Sequence, residues 1–204
     1  MNDAVLTRDR ILDAAEETLT RFGPAKTSVG DGARALGVSH GPVYSHFTST
    51  GELRGAVTER WLARVNEPLA KIVAEKGPAP ARLRRWFDTL IAIKRRKARA
   101  EPELFATYQA ILAESREVIR EHVDMLVGHI AAILADGIAR GEFASIDPEG
   151  TARALFYATA RFHAPVHAAD WGDPGLDQVF DDLWAVVARG LAAKPGRSTT
   201  QTIS

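Results

Sequence analysis

Apolar residues recur at three- and four-residue intervals along almost the whole chain, a spacing that fits helices. Alternating runs of Val, Ile or Thr bounded by turn residues, the mark of strands, are missing, so an all-α fold is expected. Ile11, Leu12, Ala15, Leu19 and Phe22 line one face of a first helix over about 7–22, which Gly23-Pro24 ends. A short second helix follows Thr27 as N-cap and runs through Val29, Ala33 and Leu36 to Gly37, where a C′ glycine belongs. Ser39 then caps an equally short third helix. Val43 and Phe47 fall on its inner face, and His40, Gly41, Tyr44 and His46 mainly on the outside. Ser49-Thr50-Gly51-Glu52 has the form of a capping box, opening a long helix that carries Leu53, Val57, Trp61, Val65, Leu69 and Ile72.

Gly77-Pro78-Ala79-Pro80 breaks that helix, and further helices are expected at about 81–99, 102–114, 116–140, 148–169 and 174–193. Asp147-Pro148 and Asp173-Pro174 each offer an N-cap acceptor followed by an N1 proline. Pro165, inside the 148–169 segment, should kink it. Polar residues dominate 194–204, so a frayed, disordered tail is expected there. No repeat of solenoid period is present.

With 204 residues and 46% hydrophobic content the chain has the apolar material for a substantial core. It has no cysteine, which excludes disulfides, thiolate nucleophiles and Cys-ligated zinc. Met1 to Glu17 lacks the apolar stretch of a signal peptide, and no uninterrupted apolar run is long enough to span a membrane. A cytoplasmic location with no membrane partner is expected.

Residues 27–47 read as helix, glycine turn, serine cap, helix. A helix-turn-helix of this kind presents its second helix to a DNA major groove, braced by the first. Ser and Tyr hydroxyls, an imidazole and helix amides are all phosphate donors. Periodicity alone equally suits two short helices packing in any all-α protein.

The run from Ile11 to Trp61 resembles the N-terminal domain of the tetracycline-repressor (TetR) family of bacterial transcriptional regulators. Ile11-Leu12-Asp13-Ala14-Ala15, Phe22-Gly23, Thr27-Ser28-Val29, Ala33, Leu36-Gly37-Val38-Ser39, Tyr44, His46-Phe47 and Glu52-Leu53 carry the resemblance, in the right order and spacing. It implies a three-helix DNA-binding domain over 1–64 and an effector-binding and dimerisation domain over 65–193, about nine helices in all. It also implies roles for matching residues. Thr27 and Ser28 cap the second helix, Ser39 caps the recognition helix, Tyr44 and His46 hold phosphates, and His40 with Gly41 faces base edges. Lys26, Pro42 and Thr50 complete the expected DNA-facing set.

Three positions depart from the family pattern. Gly32 stands where an apolar residue is usual, Pro42 where a small residue is common, and Thr50 where the fourth helix usually begins with a phosphate-binding lysine. Charge departs as well. Arg8, Arg10, Arg21, Lys26, Arg34, Arg54, Arg60 and Arg64 are balanced by eight acids within residues 1–64, although DNA-binding modules are normally basic. The segment 82–99 holds eight basic residues against Asp88 alone and ends Lys94-Arg95-Arg96-Lys97-Ala98-Arg99. That run would steer DNA if its helix returned toward the head, or would simply complement the helix dipole.

For the larger part of the chain, the resemblance implies an effector pocket between helices five to eight. Trp86, Phe105, Tyr108, His122, Phe162, His163 and His167 are the candidate lining, each with the plain alternative of being core. His163 and His167, at i and i+4, would also suit a metal with His122 or His129, or be unrelated histidines. No cofactor is called for. Ala152, Ala154, Ala158 and Ala160, with Leu176, Val179, Phe180, Leu183, Val186 and Val187, give helices 148–169 and 174–193 apolar faces for a homodimer, or for internal core.

The expected function is therefore a ligand-responsive regulator, most naturally a repressor, that binds palindromic double-stranded operator DNA as a homodimer. Its polar residues are too dispersed for an enzyme site. The rival is a helical protein-interaction module with a weakened helix-turn-helix, which the neutral head, Gly32 and Thr50 favour.

Overall fold

The computed structural model describes residues 6–23, 28–102, 104–106, 109–110 and 116–193. Its helices are α1 (Arg8–Phe22), α2 (Val29–Leu36), α3 (His40–Tyr44), α4 (Thr50–Ala74), α5 (Ala79–Ala100), α6 (Arg116–Ala139), α7 (Pro148–Ala158), α8 (Ala160–His163) and α9 (Leu176–Leu191). A 3₁₀ segment (Pro165–Gly172) joins α8 to α9. Residues 102, 104–106 and 109–110 are also helical, so the helix expected over 102–114 is described in part. Lys26, Thr27, Tyr108 and the tail 194–204 lie outside the described residues. Apart from one antiparallel bridge between Phe143 and Ala192, the described secondary structure is all helical.

Capping fixes the first elements. The N-cap of α2 is Ser28 and not Thr27, because Ser28 completes a capping box. Its Oγ accepts from Asp31 N at 3.1 Å while the Asp31 carboxylate accepts from Ser28 N at 3.0 Å. Gly37 ends α2 at φ 66°, the left-handed region in which a β-carbon is strained. Ser49 Oγ caps α4 through Glu52 N at 3.1 Å, yet the Glu52 carboxylate accepts from Thr48 N and Thr48 Oγ1 at 2.7 and 2.8 Å. The reciprocal bond of the expected capping box thus falls one residue earlier.

The helix expected over 148–169 is broken. Asp147 caps it as anticipated, accepting from Glu149 N and Gly150 N with Pro148 at N1. Thr159 then leaves α-helical geometry, its hydroxyl donating to Leu155 O at 2.8 Å. After the single turn of α8, Ala164 is extended at φ −79° and ψ 131°, the conformation that a following proline imposes. Pro165 therefore ends the helix rather than kinking it. Asp173 is likewise not the cap of α9. Its Oδ1 accepts from Gly175 N at 2.8 Å in a turn, and α9 begins two residues later than the Asp-Pro signal suggested, with Gly175 as N-cap.

The buried apolar residues form one cluster from Ile11 to Leu191. Helix α6 packs against α4, α5 and α7. Its stretch Ile119–Ala139 is long and apolar enough to cross a membrane by length and composition alone, and is in part buried in this packing. Arg82, 4% exposed, ties the centre together. Its guanidinium donates to Val73 O and Glu75 O at the end of α4, at 3.1 and 2.9 Å, and pairs with Asp136 of α6. Those are carbonyls that no α4 amide reaches, so Arg82 acts as an external C-terminal cap.

Gly32 is buried in α2, and a β-carbon there would meet only Leu53 Cδ2, at 4.0 Å, an ordinary contact. Ala at this position gains helix propensity without a clash, so Gly32→Ala is expected to raise stability by about 1 kcal/mol. Urea unfolding checks this, as a higher midpoint at unchanged slope.

Candidate nucleic-acid interface and the cavities behind it

The short helix α3 is anchored by Val43 and Phe47, both 0% exposed. Gly41 and Pro42 are exposed beside Tyr44, which keeps 49% of its surface, and His46 is half-buried in the turn after the helix. Backbone alone is described for His40, which opens α3. Pro42 sits in the first turn, where amides have no intrahelical partner, so its missing N–H leaves no bond unmade. Ser39 is the N-cap by position but makes no side-chain capping bond. Arg8, which the sequence pattern did not single out, reaches over from α1. Its guanidinium lies 4.4 Å from the Phe47 ring centroid and its Nη1 is 3.5 Å from His46 O.

Two of the expected DNA-facing hydroxyls are engaged within the head. Ser28 Oγ donates to Asp31 Oδ2 at 2.6 Å, and with Arg34 alongside this holds the Asp31 carboxyl below its ordinary range. Thr50 Oγ1 accepts from Val29 N at 3.4 Å, fastening the start of α4 to the start of α2. The hydroxyl that stands where the family has a lysine therefore serves a helix junction.

A clamp of charges fastens α4 to α1. Arg60 Nη2 pairs with Asp13 Oδ1 at 2.5 Å, Arg60 Nε lies 3.8 Å from Glu16 Oε1, and Arg64 pairs with the same Glu16. Glu16 keeps only 16% of its side-chain surface. One turn of helix thus carries both cations that grip α1, with Trp61, 1% exposed, between them on the core side.

The basic run at the end of α5 ends beside Trp61, and its two lysines turn into the core while Arg96 and Arg99 stay exposed. Lys94 and Lys97 are 3% and 8% exposed, with Nζ atoms 5.3 and 5.2 Å from the Trp61 ring centroid. Arg95 pairs with Asp177 at 2.5 Å, Lys97 with Glu101 at 3.3 Å, and Arg99 donates to Trp171 O at 3.3 Å. An amphipathic helix five explains the difference: positions 94 and 97 fall on the apolar face of α5 with Ile93 and Leu90. Burial, with Lys97 nearby, pushes Lys94 down to about 7.

Of the seven residues expected around one effector pocket, Tyr108 lies outside the described residues and the other six do not line one cavity together. Trp86 is fully buried core, edge-on to Phe87 and His129, and Phe162 is packed edge-on against Phe180 at 4.9 Å. Phe105 lines a cavity of about 430 Å³ bounded by the end of α5 and the 3₁₀ segment. His122 lines a separate one of about 180 Å³ between α4 and α6, with Asn66, Met125, Glu59 and Glu121. His163 is 3% exposed, its Nε2 3.1 Å from Thr159 Oγ1, while half-buried His167 stands beyond the helix break. The i, i+4 geometry that suggested a metal therefore does not form, and no three His, Asp or Glu converge among the described residues.

The dimer faces are divided. Ala152, Leu176 and Phe180 are core, whereas Ala154, Ala158 and Tyr157 on α7 and Val179 and Val186 on α9 are exposed.

A helix-turn-helix head on a helical body with open cavities is the architecture of a DNA-binding transcriptional regulator. The chain belongs to the TetR family. Residues 11–57 match the family model described as bacterial regulatory proteins, tetR family, and residues 79–184 match the tetracyclin repressor-like C-terminal domain. An HTH-type transcriptional regulator of Mycobacterium tuberculosis is 36% identical over 104 residues, covering 50% of this chain and 49% of that protein. The chain thus matches about half the length of that relative. The HTH-type regulator YfiR of Bacillus subtilis is 28% identical over 151 residues, 72% of each chain. In fold, a TetR transcription regulator from Haloarcula marismortui superposes with a TM-score of 0.71 at 19% identity, covering 90% of this chain and 97% of that one.

Burial pushes both His122 and His163 down to about 3, with the charge of Lys94 acting on each, His129 on the first and His167 on the second. Both stay neutral in the folded protein between pH 3 and their unfolded value near 6.5, where the unfolded chain takes up protons. Stability therefore rises with pH across this window and is lost as pH falls through it, by up to about 1.4 kcal/mol per unit for each histidine. Urea unfolding from pH 4.5 to 7.5 is expected to show this slope, and a His122→Leu/His163→Leu variant to flatten it.

Proposed function

We propose that this TetR-family regulator is a repressor that binds a palindromic operator as a homodimer and is released from it by a small-molecule effector. One observation carries the reading. Helix α4 is gripped by α1 of the head through Arg60 and Arg64, and at its other end by Arg82 of α5, which also pairs with α6. A rearrangement among α4, α5 and α6 is thereby passed to the head, and a ligand that favours one arrangement shifts affinity for DNA.

On this reading residues 1–64 are the DNA-binding part and 65–193 the effector-binding and dimerisation part. Tyr44 and His46 hold phosphates, with Arg8 adding charge beside them, and the first turn of α3, with His40, Gly41 and Pro42, meets base edges. The exposed apolar residues of α7 and α9 pair about a two-fold axis, which matches a palindromic site. Two proteins of the same fold support an effector role for the body. FadR of Bacillus subtilis is described in complex with stearoyl-CoA (TM-score 0.65, 20% identity) and SmeT with triclosan (0.62, 20%). The role has no catalytic step or cofactor, and its place is the cytoplasm, with DNA and no membrane.

Fluorescence anisotropy against DNA from upstream of the gene and a scrambled control, over a salt series, tests the DNA role. Tight binding to the native fragment with a steep salt slope is expected. Equal, weak binding to both, followed by failure of a random-sequence selection, would favour the interaction-module reading. Tyr44→Phe is expected to weaken operator binding by about 1 kcal/mol, roughly fivefold, and His46→Ala to weaken it too, with helicity and mass in solution unchanged. Unaltered affinity would remove the phosphate assignment. Val43→Asp should instead unfold the head, because Val43 is fully buried, which circular dichroism reports. Light scattering is expected to give a dimer that Val186→Asp dissociates, and a monomeric parent protein would contradict the two-fold reading.

A further inference from the structure

The larger cavity has a chemistry of its own. About 430 Å³ is the size of a small-molecule site. Its described walls are two arginines, Arg95 and Arg99, one amide, Gln109, and an otherwise apolar surface dominated by the rings of Phe105 and Trp171 and a set of alanines. No carboxylate is among the described residues that line it. The smaller cavity differs, with Glu59 and Glu121 on its wall.

Arg95 is the distinctive group. Its side chain is 16% exposed, and of its donors Nη1 goes to Asp177 at 2.5 Å while Nε and Nη2 are buried without a hydrogen-bond partner. A guanidinium presents five N–H groups in a fork that suits a carboxylate through two parallel bonds. Asp177 itself is 78% exposed, a surface carboxylate that reaches Arg95 from the first turn of α9. Arg95 therefore already holds one carboxylate, that of Asp177, on a separate groove it shares with Asp88 and Asp181, and keeps two buried donors for another. Arg99 closes the wall by donating to Trp171 O.

We infer that this cavity takes a small organic acid with a flat apolar body, its carboxylate on the Arg95 guanidinium and its body against Phe105 and Trp171. The apolar walls disfavour a bare inorganic anion, and the paired cations disfavour an amine. The inference rests on the reading of the body as an effector domain and gives that effector a chemical class. It also supplies a route. Phe105 stands edge-on to Trp171 at 5.9 Å and to Trp61 at 6.3 Å, and Trp61 lies between the two arginines of α4 that grip α1.

Calorimetric titration of the full chain with benzoate, 2-naphthoate, their neutral amides and inorganic phosphate tests the assignment. Saturable binding of the acids is expected, with 2-naphthoate the tighter. The amides and phosphate should bind at least about tenfold more weakly. Arg95→Gln should lose about tenfold for the acids and leave the amides unchanged, while Asp177→Asn, which removes the competing carboxylate, should tighten the acids alone. Amides equal to acids, phosphate equal to 2-naphthoate, no binding by any acid, or insensitivity to both substitutions would overturn the inference. Operator release is read separately by anisotropy. Acids that bind without releasing DNA would leave the anion site standing and overturn effector release, whereas release by neutral compounds alone would do the reverse.

Discussion

Everything in this molecule depends on α4 being one continuous helix along which a single core runs from the first helices to the rest of the chain. Leu53, Val57, Trp61, Val65, Leu69 and Ile72 form one buried stripe on a helix that packs against α1, α5 and α6, with the Trp61 ring against Lys94, Lys97 and Phe105. The head has too little apolar surface of its own for much independent stability. It borrows the first turns of α4 as its fourth wall, and the ion pairs of Arg60 and Arg64 set the angle at which that wall is met. A displacement of α4 is then a displacement of the head.

Where sequence reading succeeded, the information was local. Periodicity located α1, α4, α5 and α6, and Gly37 fixed the turn before α3 because few other residues accept its backbone angles. It failed where two local signals competed. Thr159 and Pro165 both act within a segment whose apolar residues keep helical spacing, and the pattern of apolar residues does not register a hydroxyl competing for backbone carbonyls. Ser28 displaced Thr27 as cap because Asp31 was placed to return the hydrogen bond.

At the candidate site the burial pattern was legible in the sequence and the interior behind it was not. Val43 and Phe47 inside and Tyr44 outside follow from spacing. The inward turn of Lys94 and Lys97 does not, because a run of cations reads as a solvated surface in any composition-based argument, whereas both ammonium groups lie against the ring of Trp61 and Lys97 also pairs with Glu101. Nor did the aromatic residues announce which of them would line a cavity. Phe162 packs against Phe180, whereas Phe105, beside Trp171, lines the larger cavity. Arg95 and Arg99, four residues apart on α5, were the available signal for the larger cavity, hidden within the longer basic run.

Helix α4 also contains Pro68, one turn beyond Arg64 and before the end held by Arg82. Proline has no N–H, so the carbonyl of Arg64 lacks the rung that every neighbouring carbonyl has. Flexing a helix ordinarily stretches hydrogen bonds on its convex side. At this level that bond is already missing, so the long helix is softest in bending between the grip of the head and the anchor of the body. A lever with its compliant point there converts a small push at one end into a tilt at the other, and two such levers facing each other across a two-fold axis would change the separation of their tips by twice the movement of one.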